Sequence, residues 1–131
     1  MIMNAEGKQK LDPLAAIVSE VIGELLETGD VVTPLEVLLR LEIVDAEQVE
    51  LWRRGGLPYL ERCITSGLSR VARILRLVAE QSVARGLAPA RGKYLRRGKG
   101  PHRRLRFSKR GDTESELAYS THFVRPPRAP A

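Results

Sequence analysis

The residues with the most chemistry in this 131-residue sequence are its cations, and they are concentrated. Between Arg85 and Arg110 lie 11 Lys/Arg and no carboxylate, so nothing nearby in the chain neutralises their field. A cut after Gly56 leaves 5 Lys/Arg against 11 Asp/Glu on the N-terminal side and 17 against 5 on the C-terminal side. Crowded like charges point to a polyanionic partner, because counter-charge from outside removes their mutual repulsion. After position 56 arginine outnumbers lysine 14 to 3, and its planar fork can hold a phosphate or a guanine edge through two hydrogen bonds at once. Tyr94, Phe107, Tyr119 and Phe123 fall within or just beyond the basic block. Binding of single strands by base stacking would need such rings, although packing onto a core is their commoner use.

The remaining reactive side chains in that region are His102, His122, Ser108, Asp112, Glu114 and Glu116. No spacing among them matches a nucleophile elbow, a metal-binding helix or a phosphate loop. The sequence therefore predicts no enzyme, no metal and no cofactor. Cys63 is the single cysteine, expected as a small buried apolar residue. The most apolar stretches, residues 14–26 and 35–44, are interrupted by Ser19, Glu20, Glu24, Arg40 and Glu42, so neither is expected to cross a bilayer. The N-terminus lacks a signal-peptide pattern. A cytoplasmic protein with no membrane partner is the expectation.

Helical signals position these residues. Asp12-Pro13 starts a helix expected to run to about Thr28 and stop at Gly29. It carries Leu14, Ile17, Val18, Val21, Ile22 and Leu25 on one face and Glu20, Glu24 and Glu27 opposite. Thr33-Pro34-Leu35-Glu36 has capping-box spacing and predicts a short helix over 34–41. Asp45-Ala46-Glu47-Gln48 starts a third, which turns Val49 and Trp52 inward and ends at Gly55-Gly56. Pro58 is expected to open a fourth helical stretch through Tyr59, Leu60 and Ile64, with a break at Ser66-Gly67. Residues 68–85 are again amphipathic, with Leu68, Val71, Ile74, Leu75 and Val78 inward, Arg70, Arg73 and Arg76 outward, and Glu80 spaced to pair with Arg76. Beyond Gly86, turn residues separate two short segments whose apolar members are Tyr94, Leu105 and Phe107, which predicts a basic β-hairpin over about 93–107. Asp112 is expected to cap a last helical turn and residues 119–124 to extend as a short strand.

The helix bearing Arg70, Arg73 and Arg76, its exit Ala84-Arg85-Gly86-Leu87, and a hairpin ending in Arg103-Arg104-Leu105-Arg106-Phe107 together resemble winged-helix nucleic-acid-binding proteins over residues 34–108. The resemblance implies that the helix enters a groove and the wing touches the backbone. Six residues, 88–93, separate the helix exit from the first hairpin segment. A second stretch, 38–60, is similar to the helix-turn-helix of phage-repressor-type regulators. That resemblance would turn Glu47, Gln48 and Glu50 to the groove, where the carboxylates repel phosphates. Trp52 is expected as a core anchor in either case. Trp52-Arg53 with Pro58-Tyr59-Leu60-Glu61 is also similar to small bacterial proteins with no assigned function.

The expected architecture is mainly α: a flexible leader over 1–11, one helical domain over 12–124 made of a four- to five-helix core with a small basic, winged-helix-like β-hairpin, and an extended, disordered tail over 125–131. The expected function is non-enzymatic binding of nucleic acid, duplex DNA before RNA, held mainly by arginine–phosphate contacts, as a transcriptional regulator would use. The residues expected to carry it are Arg70, Arg73 and Arg76 on the helix, and Arg96, Arg97, Lys99, Arg103 and Arg104 on the hairpin. The alternative is an adaptor or assembly component whose basic arm docks on an acidic surface, such as the Glu20/Glu24/Glu27 face of a second copy in a homodimer.

Overall fold

Four short polar side chains start four helices. The Asp12 carboxylate accepts from Ala15 N at 2.8 Å, Thr33 Oγ1 from Glu36 N at 3.1 Å, Asp45 from Gln48 N at 2.9 Å and Asp112 from Ser115 N at 3.1 Å. Each cap satisfies an N–H that the first helical turn leaves without an intrahelical acceptor. In the computed structural model, which describes residues 12–127, these caps open α1 (Pro13–Thr28), α2 (Pro34–Arg40), α3 (Ala46–Arg53) and α5 (Thr113–Ser120). The remaining helix, α4 (Leu68–Ala84), begins after Gly67 without a side-chain cap.

Three helices end in one backbone motif. Ile43 N donates to Leu38 O, Gly56 N to Leu51 O and Leu87 N to Ser82 O, each wrapping the last turn through a residue of positive φ. Gly55 (φ 85°) and Gly86 (φ 89°) fill that position after α3 and α4, but after α2 it is Glu42 (φ 58°). A side chain with a Cβ is strained there by roughly 1–2 kcal/mol. Glycine would relieve the strain and lose some of the gain to the freer unfolded chain, so Glu42→Gly is expected to stabilise by about 0.5–1 kcal/mol. Thermal melting checks this; a lower midpoint would mean that the exposed Glu42 side chain does more than end a helix.

Against α1, whose Val18, Val21, Ile22 and Leu25 are buried, α4 packs Val71, Ile74, Leu75 and Val78; α2 adds Leu35, Val37 and Leu38. Side chains lock the α1–α4 pair: Gln81 Nε2 donates to Ala15 O at 3.0 Å and Arg85 Nη2 to Ser19 O at 2.8 Å. Two residues expected on these inner faces lie at their margins, Ile17 at 43% exposure and Leu68 at 51%.

An antiparallel sheet closes the chain, with strands β1 (Val31–Val32), β2 (Ala88–Arg91) and β3 (Thr121–Val124) in the order β1–β3–β2. The last strand is central: Phe123 lies opposite both Val32 and Pro89, joining the two ends of the domain. Pro89 is tolerated because β2 is an edge strand. Residues 88–91, which looked like a spacer, are thus the first strand of a larger hairpin, and everything over 92–120 hangs between β2 and β3. Within that insertion the expected basic hairpin is present in reduced form. It has one bridge, Leu95 with Arg104, flanked by Leu105 N donating to Tyr94 O and Arg96 N to Arg103 O, both at 2.7 Å. Gly98 and Gly100, both at positive φ, and Pro101, which has no N–H to donate, interrupt strand pairing over the rest of the tip.

The helix expected after Pro58 is a single 3-10 turn, Leu60–Cys63. Its backbone is committed elsewhere: Leu60 N and Glu61 N donate to Arg106 O and Phe107 O at 3.1 and 2.9 Å, docking the turn on the returning limb of the hairpin. The C-terminal tail also departs from expectation at its start. Arg125 bonds Asp30 at 2.8 Å and Leu26 O at 3.2 Å, and its N–H donates to Asp30 O. Residues 128–131, and the leader over 1–11, lie outside the described residues.

Candidate nucleic-acid interface

The hairpin is held by its aromatic residues, not by strand pairing. Trp52 is fully buried at the inner face of α3, its ring centroid 4.9 Å from that of Phe107 and 5.9 Å from that of Tyr94. Its Nε1 donates to Arg106 O at 2.8 Å. Phe107 in turn stacks on Tyr119 of α5 at 5.4 Å. All four aromatics of the basic region are buried, so none is a free stacking platform. Two carboxylates fix the limb beyond Phe107. Glu116 accepts from Phe107 N, Ser108 N and Ser108 Oγ at 2.9, 2.8 and 2.6 Å; Glu61 accepts from Lys109 N and the Tyr119 hydroxyl at 2.9 and 2.8 Å. Burial and the adjacent Glu61 push the Tyr119 phenol well above its ordinary range, so it stays a donor.

This anchorage sets the hairpin tip against the C-terminal end of α3. Arg97 N donates to Arg53 O at 2.8 Å, and Glu50 bridges Arg54 at 3.0 Å and Arg97 at 3.7 Å. The guanidinium of Arg53 lies 4.9 Å from the Tyr94 ring centroid. Burial, and then the neighbouring Arg97 cation, lower its pKa. Lys99, Arg103 and Arg104 are exposed and make no side-chain hydrogen bond or ion pair with a described residue. Arg96 is different: its guanidinium folds back onto the Pro101 and Lys99 carbonyls and braces the turn. The structure therefore brings Arg97 of the hairpin tip against Arg53 and Arg54 at the end of α3, around the carboxylate Glu50, with Lys99, Arg103 and Arg104 on the same hairpin. The two α3 arginines were missed because they belong, in sequence, to the acidic half; the Gly55-Gly56 stop placing them at a helix end was the only signal.

The helix arginines form a second group. Arg70 and Arg76 are exposed on α4 with no described ion-pair partner, and the expected Arg76–Glu80 pair is not formed. Arg73 pairs with Asp12, the α1 cap. Between the groups stands α5: it shares a cavity with α4 on one side and with the hairpin on the other, Leu117 lining both. The two sets of expected site residues are thus neighbours across α5, not one uninterrupted patch.

Most of the groups that could do acid–base work have structural partners among the described residues. Asp112 is a helix cap, Ser108 is buried on Glu116, and His102 Nδ1 lies 2.9 Å from Arg96 O. Cys63 is half-buried, not fully so, its thiol donating to Leu60 O at 3.2 Å and pushed up by burial. His122 Nε2 lies 2.9 Å from the Tyr94 hydroxyl, whose pKa burial raises so that it keeps its proton. Burial and the Arg53 cation lower the pKa of His122. An unfolded chain then takes up the proton before the folded one does, so the contribution is complete above the ordinary histidine value of 6.5 and is lost as pH falls below it. A lower melting midpoint at pH 5 than at pH 7 is expected, with the difference reduced in His122→Gln. Equal pH dependence in both proteins would remove His122 as its cause.

Among the described residues no helix is long and apolar enough to cross a membrane. No protein-family model, curated protein or solved structure matches the chain.

Proposed function

We propose that the chain binds nucleic acid, duplex DNA before RNA, without catalysing a reaction, and that phosphate contacts from the hairpin and the end of α3 carry most of the affinity. The observation that supports this most is the cation cluster at the hairpin tip, fixed on the aromatic core, where Glu50 is the one described carboxylate paired with its guanidiniums. Holding Arg53 and Arg97 side by side is unfavourable in the free protein and favourable beside a polyanion. The chain order supports a winged-helix relationship: α4 leads through Gly86 into β2, and the insertion returns along β3, so an arginine-faced helix immediately precedes a two-stranded wing. On this reading Arg70 and Arg76 approach a groove and Arg97, Lys99, Arg103 and Arg104 hold the backbone. The protein acts in the cytoplasm, as a transcriptional regulator would.

A shift of labelled duplex DNA by nuclease-treated protein at moderate salt tests the proposal. Glu50 sharpens it. Glu50→Gln frees Arg54 and Arg97, so affinity should rise several-fold and the salt slope steepen by about one unit for each phosphate newly contacted. Weaker binding at unchanged melting would mean that Glu50 supports the interface instead of competing with it.

The assembly reading draws on α1, where Glu20 and Glu27 are exposed without an ion-pair partner among the described residues. A stoichiometric, salt-sensitive homodimer in nuclease-free material would favour it.

A further inference from the structure

Between the returning hairpin limb and α5 lies a cavity of about 350 Å³, toward the small end of the roughly 300–1,000 Å³ usual for small-molecule sites. Its floor is apolar, made by Leu105 and by Leu117, which is 37% exposed, above the buried Tyr94 and Phe107 rings. Its rim is cationic. Arg91, at the end of β2, and Arg104, at the hairpin bridge, are exposed, and neither guanidinium hydrogen-bonds or ion-pairs with a described residue. The third arginine there, Arg106, is spent on Ser108 O at 2.8 Å and on Lys109 O. The cavity carboxylate, Glu116, already accepts three hydrogen bonds from the 107–108 loop. Thr113 adds a hydroxyl at the mouth.

An apolar floor under two unpaired guanidiniums fits a flat apolar ring joined to a phosphate. A single phosphate would leave the floor empty, and an apolar peptide would leave the arginines unpaired. We propose that this cavity binds one unpaired nucleoside-phosphate unit, its base against Leu105 and Leu117 and its phosphates on Arg91 and Arg104. Such a base must leave the duplex stack, which costs least where it is already unpaired. The inference rests on the nucleic-acid reading: Arg104 belongs to both the hairpin cluster and this cavity, so backbone held by the tip runs past its mouth.

The test compares three probes on the full chain: a perfect duplex, the same duplex with one bulged nucleotide, and adenosine 5′-monophosphate. The bulged duplex should bind about tenfold tighter than the perfect one, about what covering a few tens of Å² of base against the two leucines is worth. Leu117→Trp, which fills the cavity, should abolish that preference and leave the perfect duplex bound as before. Arg91→Ala, at an exposed position outside the tip cluster, should reduce the preference even if the tryptophan variant folds poorly. Weak binding of the free mononucleotide, lost in Leu117→Trp, would indicate that the unit need not belong to a strand. Equal affinity for both duplexes, or a preference that survives both substitutions, overturns the cavity proposal and leaves phosphate binding by the tip intact. Failure to bind any probe at low salt overturns both.

Discussion

Replacing Arg97, Lys99, Arg103 and Arg104 together by alanine is expected to cut affinity for nucleic acid about a hundredfold at low salt, equally for all sequences, and to flatten the salt slope by roughly one unit per lost phosphate contact. These are the tip cations that reach solvent. Arg96 is left in place because its guanidinium braces the turn through the Pro101 and Lys99 carbonyls, and removing it would confound binding with hairpin structure. The helix provides the contrast. Arg70→Ala or Arg76→Ala should cost about 1–3 kcal/mol and act unequally on different sequences where the side chain meets a base edge. Arg73 is a poorer probe, since its loss also frees the Asp12 cap from its ion pair. If the tip variant loses all binding while both helix variants bind as wild type, α4 presents only a solvated face and the groove-entering role fails.

Trp52→Ala is expected to lower stability by about 3–5 kcal/mol. Its ring packs against both Tyr94 and Phe107, and Nε1 donates to the Arg106 carbonyl. Trp52→Phe separates the two contributions: it keeps an aromatic ring but loses the hydrogen bond, and should cost about 1–3 kcal/mol, the penalty of leaving a buried acceptor without its donor. Because the basic limb docks on this indole, binding should fall in step with unfolding in the alanine variant and persist in the phenylalanine variant below its melting temperature. A Trp52→Ala protein with an unchanged midpoint and no binding would instead put Trp52 at the interface, as the repressor-type resemblance of residues 38–60 would have it.

The local devices were legible in the sequence because they act over four or five residues. Asp12, Thr33, Asp45 and Asp112 all cap the helices expected of them, and Gly55 and Gly86 end theirs. The inward faces of α1 and α4 followed from 3.6-residue periodicity, which sees a helix but not the width of its neighbour; hence Ile17 and Leu68 at the margins. What could not be read was decided by distant contacts. The 88–91 segment is a strand because Phe123 and His122 lie opposite it, more than thirty residues on. Residues 60–63 make only a turn, docked where the Leu60 and Glu61 N–H groups meet the carbonyls of Arg106 and Phe107. The candidate interface was legible as charge but not as geometry. The hairpin cations were visible as an uninterrupted run, whereas the recruitment of Arg53 and Arg54, the diversion of Arg96 and the position of α5 between the two arginine groups all depend on how the insertion packs on Trp52.

Whether phosphate contacts hold a nucleic acid is read from titrations of nuclease-treated protein into labelled duplex DNA across a series of salt concentrations. With about five phosphates contacted, the slope of log K against log salt should be about −4 to −5. A slope near zero, or no binding even at the lowest salt, would contradict such contacts.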